Sequence, residues 1–242
     1  MLAAAAAPAG EPVRVKAVLD GDTVILEDNR RVRLIGINTP ERARRERPGQ
    51  PLAEAARQAL QRLSRRPLRL VPGTEPYDRY GRTLAYLVLD GGVTAQERLL
   101  EAGLGAAVAI PPNIERLDRL RAAEARARRA GRGIWGHSYF RPIDAARMTA
   151  EHTGFRFVRG TIRRYWYRKK TIYFALTEEL ALTVPRRDWP RFGREPASLL
   201  GKTVTARGWV SRYRDGRLRL RTPHPFMMGL WPAAPGETVS NH

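Results

Sequence analysis

Three short runs carry residues whose types and order suit work on a phosphodiester. Asp20-Gly-Asp22-Thr offers a carboxylate at the start of a strand. Arg33-Leu-Ile-Gly-Ile-Asn38-Thr39-Pro40-Glu41 adds a guanidinium, an amide oxygen and a second carboxylate. Asp78-Arg79-Tyr80-Gly-Arg82 brings another arginine, in a turn before a strand. Hydrolysis of a phosphodiester needs an activated water, a hard cation on a non-bridging oxygen and donors for the transition-state charge. Oxygen ligands, a carboxylate and arginines gathered by turns are the residue types for that task. Each run taken alone has an ordinary structural use: a turn, a solvated strand face, a helix start. Arg33 is expected inside a strand, with Ile35 and Ile37 on its side and Leu34, Gly36 and Asn38 on the other if the strand stays regular. Pro40 ends that strand and holds Thr39 extended, which aims the Thr39 carbonyl and the Glu41 side chain off the sheet.

Taken in their joint order, these runs resemble the staphylococcal nuclease-like (thermonuclease) family over about residues 13–136. The matching stretches are Val18-Leu-Asp-Gly-Asp-Thr-Val24, Arg33-Leu-Ile-Gly-Ile-Asn-Thr-Pro-Glu41, Tyr77-Asp-Arg-Tyr-Gly-Arg-Thr-Leu-Ala-Tyr86 and Gly133-Ile-Trp135. The resemblance implies an OB-fold nuclease with one Ca2+ beside the scissile phosphate of single-stranded DNA or RNA. It sets Asp22 and Asn38 as side-chain metal ligands and Thr39 as a ligand through its carbonyl, its side chain being replaceable. It sets Glu41 as general base, Arg33 and Arg82 as the phosphate clamp, and Arg79 and Tyr80 beside the substrate. Two departures stand out. The family often has Asp where this chain has Asn38, which removes one negative charge and predicts weaker calcium binding. Where some members carry two stacking tyrosines, this chain has Val108 and Ile110.

The elements that must position these residues follow from pattern. Val13–Val18, Thr23–Glu27, Arg31–Ile37, Pro67–Val71 and Thr83–Leu89 read as strands, with Pro72–Arg82 rich in turns. Pro51–Leu63 places Leu52, Ala56, Ala59, Leu60 and Leu63 on one helical face. Thr94 with Glu97 forms a capping-box spacing ahead of a helix that stops at Gly103. A third helix is expected from an Asn113 cap to Ala130. The fold class expected is mainly β with α (α+β): a five-stranded OB-fold barrel with three helices, then a second OB-like small barrel. That second barrel rests on strands over Phe155–Tyr167, Thr171–Thr177, Leu182–Val184, Thr203–Tyr213 and Arg217–Arg221, a helical stretch near Trp189–Leu200, and the hairpin signal Asp215-Gly216. The expected division is a disordered segment or signal-peptide remnant over 1–12, a nuclease domain over 13–136, a linker over 137–154, a nucleic-acid-binding domain over 155–230 and a flexible tail over 231–242.

Charge agrees with a polyanionic partner. The 242 residues carry a formal charge of +20, and only Lys16, Lys169, Lys170 and Lys202 of the basic residues are not arginine. Arginine presents a planar fork that fits phosphate and stacks on rings. Codon bias toward arginine accounts for the choice over lysine, not for the scarcity of acids. Net charge is +8 over residues 1–140 and +12 over residues 141–242, so the shorter half is the more basic. Within it, Arg159 to Phe174 interleaves basic and aromatic residues. Alternation puts Arg163, Tyr165 and Tyr167 on one face and Arg164, Trp166 and Arg168 on the other. Arg163, Tyr165, Trp166, Tyr167 and Arg168 are the expected single-strand contacts, one face otherwise being core. Arg42, Arg44, Arg45 and Arg47 are expected to form a basic loop.

With no cysteine, disulfides, thiolate zinc sites and Cys nucleophiles are excluded. The four histidines show no metal-ligand spacing. The small-residue start, Met1 to Gly10, points to a periplasmic or secreted protein, with a cytoplasmic one as the alternative; a monomer is the expected state. A non-catalytic scaffold of two OB-like domains is the rival reading. Every position of the acid–arginine set is filled, which favours the enzyme.

Overall fold

The computed structural model describes residues 10–43 and 48–230. The N-terminal remnant up to residue 9, the basic-loop arginines Arg44, Arg45 and Arg47, and the tail from residue 231 lie outside them. The chain divides into two compact units at His137/Ser138, with Val108–Pro111 grouped in the second.

In the first unit the strands are β1 (Glu11–Val13), β2 (Val15–Asp20), β3 (Thr23–Leu26), β4 (Arg31–Leu34) and β5 (Ile37–Asn38). Helix α1 (Ala53–Leu63), strands β6 (Leu68–Tyr77) and β7 (Thr83–Leu89), helix α2 (Ala95–Glu101), strand β8 (Ala106–Ala107) and helix α3 (Leu117–Arg129) follow. The main sheet runs β1-β6-β7-β4-β3-β2, with β4 and β7 parallel. Only Arg14 separates β1 from β2. One N-terminal strand therefore pairs with β3 at one end and with β6 at the other, which closes the OB barrel. Residues 10–12, expected to be disordered, thus include part of a paired strand. Val24, Leu26, Val32, Leu34, Leu70, Ala85 and Leu87 are buried, as period-two alternation requires.

Helix α1 buries Ala53, Ala56 and Leu60. Helix α2 starts on the expected capping box: the Glu97 N–H donates to Thr94 Oγ1 (3.1 Å) and the Thr94 N–H to Glu97 Oε2 (2.7 Å). Helix α3 departs from expectation. It begins three residues later than an Asn113 cap would allow, because the Asn113 amide is engaged with β6. Its Oδ1 accepts the Glu75 N–H (2.8 Å) and its Nδ2 donates to the Glu75 carbonyl (2.9 Å). That bond extends β6 to Tyr77 across residues expected as turn.

The second unit repeats the topology. Its strands are β9 (Ile143–Asp144), β10 (Gly154–Thr161), β11 (Arg164–Arg168), β12 (Thr171–Ala175), β13 (Leu180–Pro185), β14 (Thr203–Arg212) and β15 (Leu218–Arg221). Their order is β11-β12-β13-β15-β14-β10-β9, with β13 and β15 parallel. The single strand expected over Phe155–Tyr167 is bent at Ile162–Arg163, so β10 pairs with β14 while β11 pairs with β12. The stretch near Trp189–Leu200 forms 3-10 turns, Arg186–Phe192 and Pro196–Leu199; Pro190 and Pro196 cannot supply α-helical N–H donors. Residues 137–154 do not act as a linker: β9 pairs with β10, and Ala145 and Met148 enter the core of this unit. No helix among the described residues is long and apolar enough to cross a membrane.

Candidate nuclease site

The acid–arginine centre is assembled where β3, β4 and β5 meet. Asp22, only 5 % exposed, sits in the turn between β2 and β3. Gly21 beside it allows that turn to approach Thr39: an added Cβ would lie 2.6 Å from the Ala56 methyl and 2.9 Å from Thr39 Oγ1. Asp22 Oδ2 accepts the Thr39 N–H (3.0 Å) and the Thr39 hydroxyl (3.1 Å), and pairs with Arg33 Nη2 (3.0 Å). Asp22 Oδ1 accepts from Thr23 Oγ1 (3.1 Å).

Arg33 is fixed at three points. Besides Asp22, its Nη1 donates to the carbonyls of Leu34 (2.7 Å) and Ile37 (3.0 Å). The second contact exists because the strand does not stay regular. Gly36 takes a positive φ of 79°, and the chain turns between β4 and β5. Asn38 therefore lies beside Arg33's carboxylate partner instead of alternating away along one strand. The left-handed value favours glycine, and an added Cβ would meet Leu120.

Asn38 and Thr39 are both buried. Asn38 Nδ2 donates to the Thr39 carbonyl (3.3 Å), while Asn38 Oδ1 is buried with no hydrogen-bond partner. The Thr39 side chain is not idle, as the sequence reading had it; it is a donor to the central carboxylate. Glu41 follows Pro40 at the surface, its backbone tied to Gln50 in both directions: the Glu41 N–H donates to Gln50 Oε1 (2.9 Å) and the Gln50 N–H to the Glu41 carbonyl (2.8 Å).

Arg82 belongs to a second cluster. Asp78 accepts from Arg82 Nε (2.7 Å), the Arg82 N–H (3.0 Å) and the Tyr80 N–H (2.9 Å). Burial works against the Asp78 carboxylate, but these donors outweigh it and hold its pKa below the ordinary value. Tyr80 is 68 % exposed, with Arg79 and Arg82 over its ring at 4.8 and 5.7 Å. Sheet register relates the two clusters: Thr23, Arg33 and Leu84 are Cα partners in a row. Arg82 stands just ahead of β7, two residues before Leu84.

Among the described residues no group of three or more His, Asp or Glu side chains sits together as a metal cage. The available donors are all oxygens: the Asp22 carboxylate, the Asn38 amide and the Thr39 carbonyl. A buried acceptor without a donor costs about 1–3 kcal/mol. The orphaned Asn38 Oδ1 is an oxygen of the kind a hard cation accepts, alongside carboxylate and backbone oxygens. The residues present fit calcium, with one formal negative charge from Asp22.

In the second unit the expected alternation holds, and it sorts the basic–aromatic run. Arg164, Trp166 and Arg168 line a pocket with Tyr173, Arg217 and Arg219. Arg163, Tyr165 and Tyr167 are not brought there. Tyr165 packs against the core and Phe174 (6.2 Å between rings), the Arg163 N–H donates to the Ala175 carbonyl (2.9 Å), and Tyr167 lies under Arg186 (5.3 Å). Tyr173 was missed from sequence. Its signal was position, since it stands opposite Trp166 across the Lys169-Lys170 turn. Val108, at one of the two stacking positions, is buried.

Comparison with known proteins finds relatives of the first unit. The family model of staphylococcal nuclease homologues matches residues 31–137. A thermonuclease of Staphylococcus intermedius is 38 % identical over 130 residues, covering 52 % of this chain and 77 % of that protein. A thermonuclease of Staphylococcus hyicus is 34 % identical over 128 residues, 51 % of this chain and 75 % of that one. Endonuclease YncB of Bacillus subtilis is 32 % identical over 133 residues, 52 % of this chain and 62 % of that one. The chain belongs to the staphylococcal nuclease homologues, and it is a hydrolase acting on the phosphodiester bonds of nucleic acid.

Proposed function

We propose that the first unit is a calcium-dependent nuclease of single-stranded DNA and RNA with little sequence selection. The observation that carries this reading is the buried Asp22–Arg33–Asn38–Thr39 cluster with one amide oxygen left unbonded. Asp22, Asn38 and the Thr39 carbonyl would hold the ion, which when bound supplies a hard Lewis acid for a non-bridging phosphate oxygen. Glu41, exposed and two residues after Thr39, takes the proton of the attacking water. Arg33 and Arg82 donate to the phosphate oxygens as charge builds on them. Three contacts fix the Arg33 guanidinium, and a fork of five N–H groups keeps donors beyond those three. Because Arg33 is already ordered, little reorganisation is needed when substrate arrives. Asp78 orders Arg82 in the same manner, and Arg79 and Tyr80 flank the strand.

The basic second unit is assigned to holding the same polymer. A monomer exported to the periplasm or beyond is the accompanying expectation, which cell fractionation and sedimentation check. The function is tested by incubating single- and double-stranded DNA and RNA with calcium, magnesium or chelator. Cleavage of single strands with calcium and none with chelator is expected. No calcium-dependent cleavage of any substrate would turn the reading toward a binding scaffold.

A further inference from the structure

A pocket of about 210 Å3 opens in the second unit beside β11, β12 and β15. Its wall is a ladder in which cations and rings follow one another. Arg164 lies over Trp166 (5.0 Å), and Trp166 stacks on Tyr173 (5.0 Å, 13° between planes). Arg219 covers Tyr173 (5.3 Å) and Tyr213 (3.7 Å). Register produces this arrangement. Trp166 and Tyr173 are direct partners across β11 and β12, and Arg219 is brought in by the parallel β13–β15 pair. Asp215 accepts from Arg219 Nη2 (2.9 Å) and holds it between the two rings.

The rings are not explained by core formation. The core of this unit contains Ile172 and Phe174 and packs against Tyr165, whereas Trp166 and Tyr173 belong to the other face of the same strands. Nor does attraction of a polyanion by charge alone need two stacked rings. The cavity is smaller than the roughly 300–1,000 Å3 of sites for drug-sized ligands, so it suits a single planar ring system. Arg168 and Arg217 stand at the same pocket, where guanidinium forks meet phosphates.

We propose that this pocket takes one nucleobase of a single-stranded nucleic acid. The base stacks on Trp166 where Arg164 lies in the free protein, and Arg164, Arg168 and Arg217 take the flanking phosphates. None of the catalytic residues takes part, so the assignment stands apart from the calcium reading.

The test uses the full chain in chelator, with fluorescent oligothymidylate of about 16 nucleotides, the upper site size of one OB fold, and inorganic polyphosphate as an anion without bases. Trp166→Ala is expected to weaken oligothymidylate binding about 5- to 150-fold, the range for losing one stacked base, and to leave polyphosphate binding unchanged. Trp166→Phe is expected to keep most of the affinity, which guards against a folding defect. Arg217→Ala is expected to lower the salt slope of oligothymidylate binding by about 1. Equal affinity of Trp166→Ala and unmodified protein for oligothymidylate, or an equal loss toward both polymers, would overturn the pocket. Cleavage assays with calcium on the same preparations read the catalytic reading separately: failed cleavage with intact, Trp166-dependent binding sinks that reading and supports this one.

Discussion

Replacing Asn38 by aspartate puts a number on the charge of the proposed cation site. Asp22 and Asn38 meet at one residue: the Thr39 N–H donates to Asp22 (3.0 Å), and Asn38 Nδ2 donates to the Thr39 carbonyl (3.3 Å). If Asn38 is a ligand, a carboxylate in its place would face both the Asp22 charge and the ion. Unit charges about 4 Å apart interact by about 4 kcal/mol at an effective dielectric of about 20. A divalent ion therefore gains about 8 kcal/mol, and repulsion from Asp22 removes about 4. Dehydrating the new carboxylate at a site this buried costs several kcal/mol more. The expected net gain is about 1–3 kcal/mol, or calcium binding about 5- to 150-fold tighter. Without calcium the repulsion is uncompensated, and the Nδ2 bond to Thr39 is lost as well. Asn38→Asp is thus expected to melt below the unmodified protein in chelator and to recover when calcium is added. Titration calorimetry and paired melting curves measure both effects. Calcium affinity that is unchanged or weaker in the variant would refute the placement of Asn38 as a ligand.

Other substitutions separate chemistry from architecture. Glu41→Ala is expected to lower turnover about 10²–10⁴-fold and Arg82→Ala about 10³–10⁵-fold, both in steady-state cleavage assays and with the fold retained by circular dichroism. Arg33→Ala is expected to lose stability as well as activity, by about 3–5 kcal/mol in denaturant melts, because it leaves Asp22 as a buried charge without its cation. Thr39→Val, which removes one donor to a buried carboxylate, is expected to cost about 1.5–3 kcal/mol in the same melts, whereas Thr39→Ser restores most of it. For Asp78, whose folded pKa is depressed, the stabilising contribution is present above the unfolded value of about 3.9 and is lost as pH falls through the folded one. Asp78→Asn should therefore melt below the unmodified protein near pH 6 and converge with it at strongly acid pH.

Much of the site was legible because it is written in short runs. The Thr94–Glu97 box acts within itself, and the Asp20-Gly-Asp22 turn and the Asn38-Thr-Pro-Glu run are each compact enough to be read from a few residues. What was not legible depends on partners distant in sequence. Asn113 looks like a helix cap until Glu75, far earlier in the chain, proves to occupy both ends of its amide. Arg33 and Asn38 were assigned to opposite faces of a regular strand, and one positive φ at Gly36 overturned that. In the second unit, period-two alternation correctly separated Trp166 from Tyr165. It could not tell which face was core, since both carry rings and arginines. Residues 137–154 have no period of their own because β9 borrows its pairing from β10.

The shared way in which the two barrels close has a consequence for how the chain reaches its native state. In each barrel the first strand is pinned at one end by its neighbour in sequence and at the other by a late one. Glu11 waits for Leu70, and Gly154 waits for Val210. Contacts of such long sequence separation must be made against loop entropy, which slows folding. Until they form, Leu68 and Leu70 on one side and Val204 and Val210 on the other present open apolar edges. Closure of each barrel is therefore the kinetic step at which a newly made chain is most exposed to aggregation. Both partners of each closure lie within one unit, so the first barrel can seal on the ribosome before the second has been made.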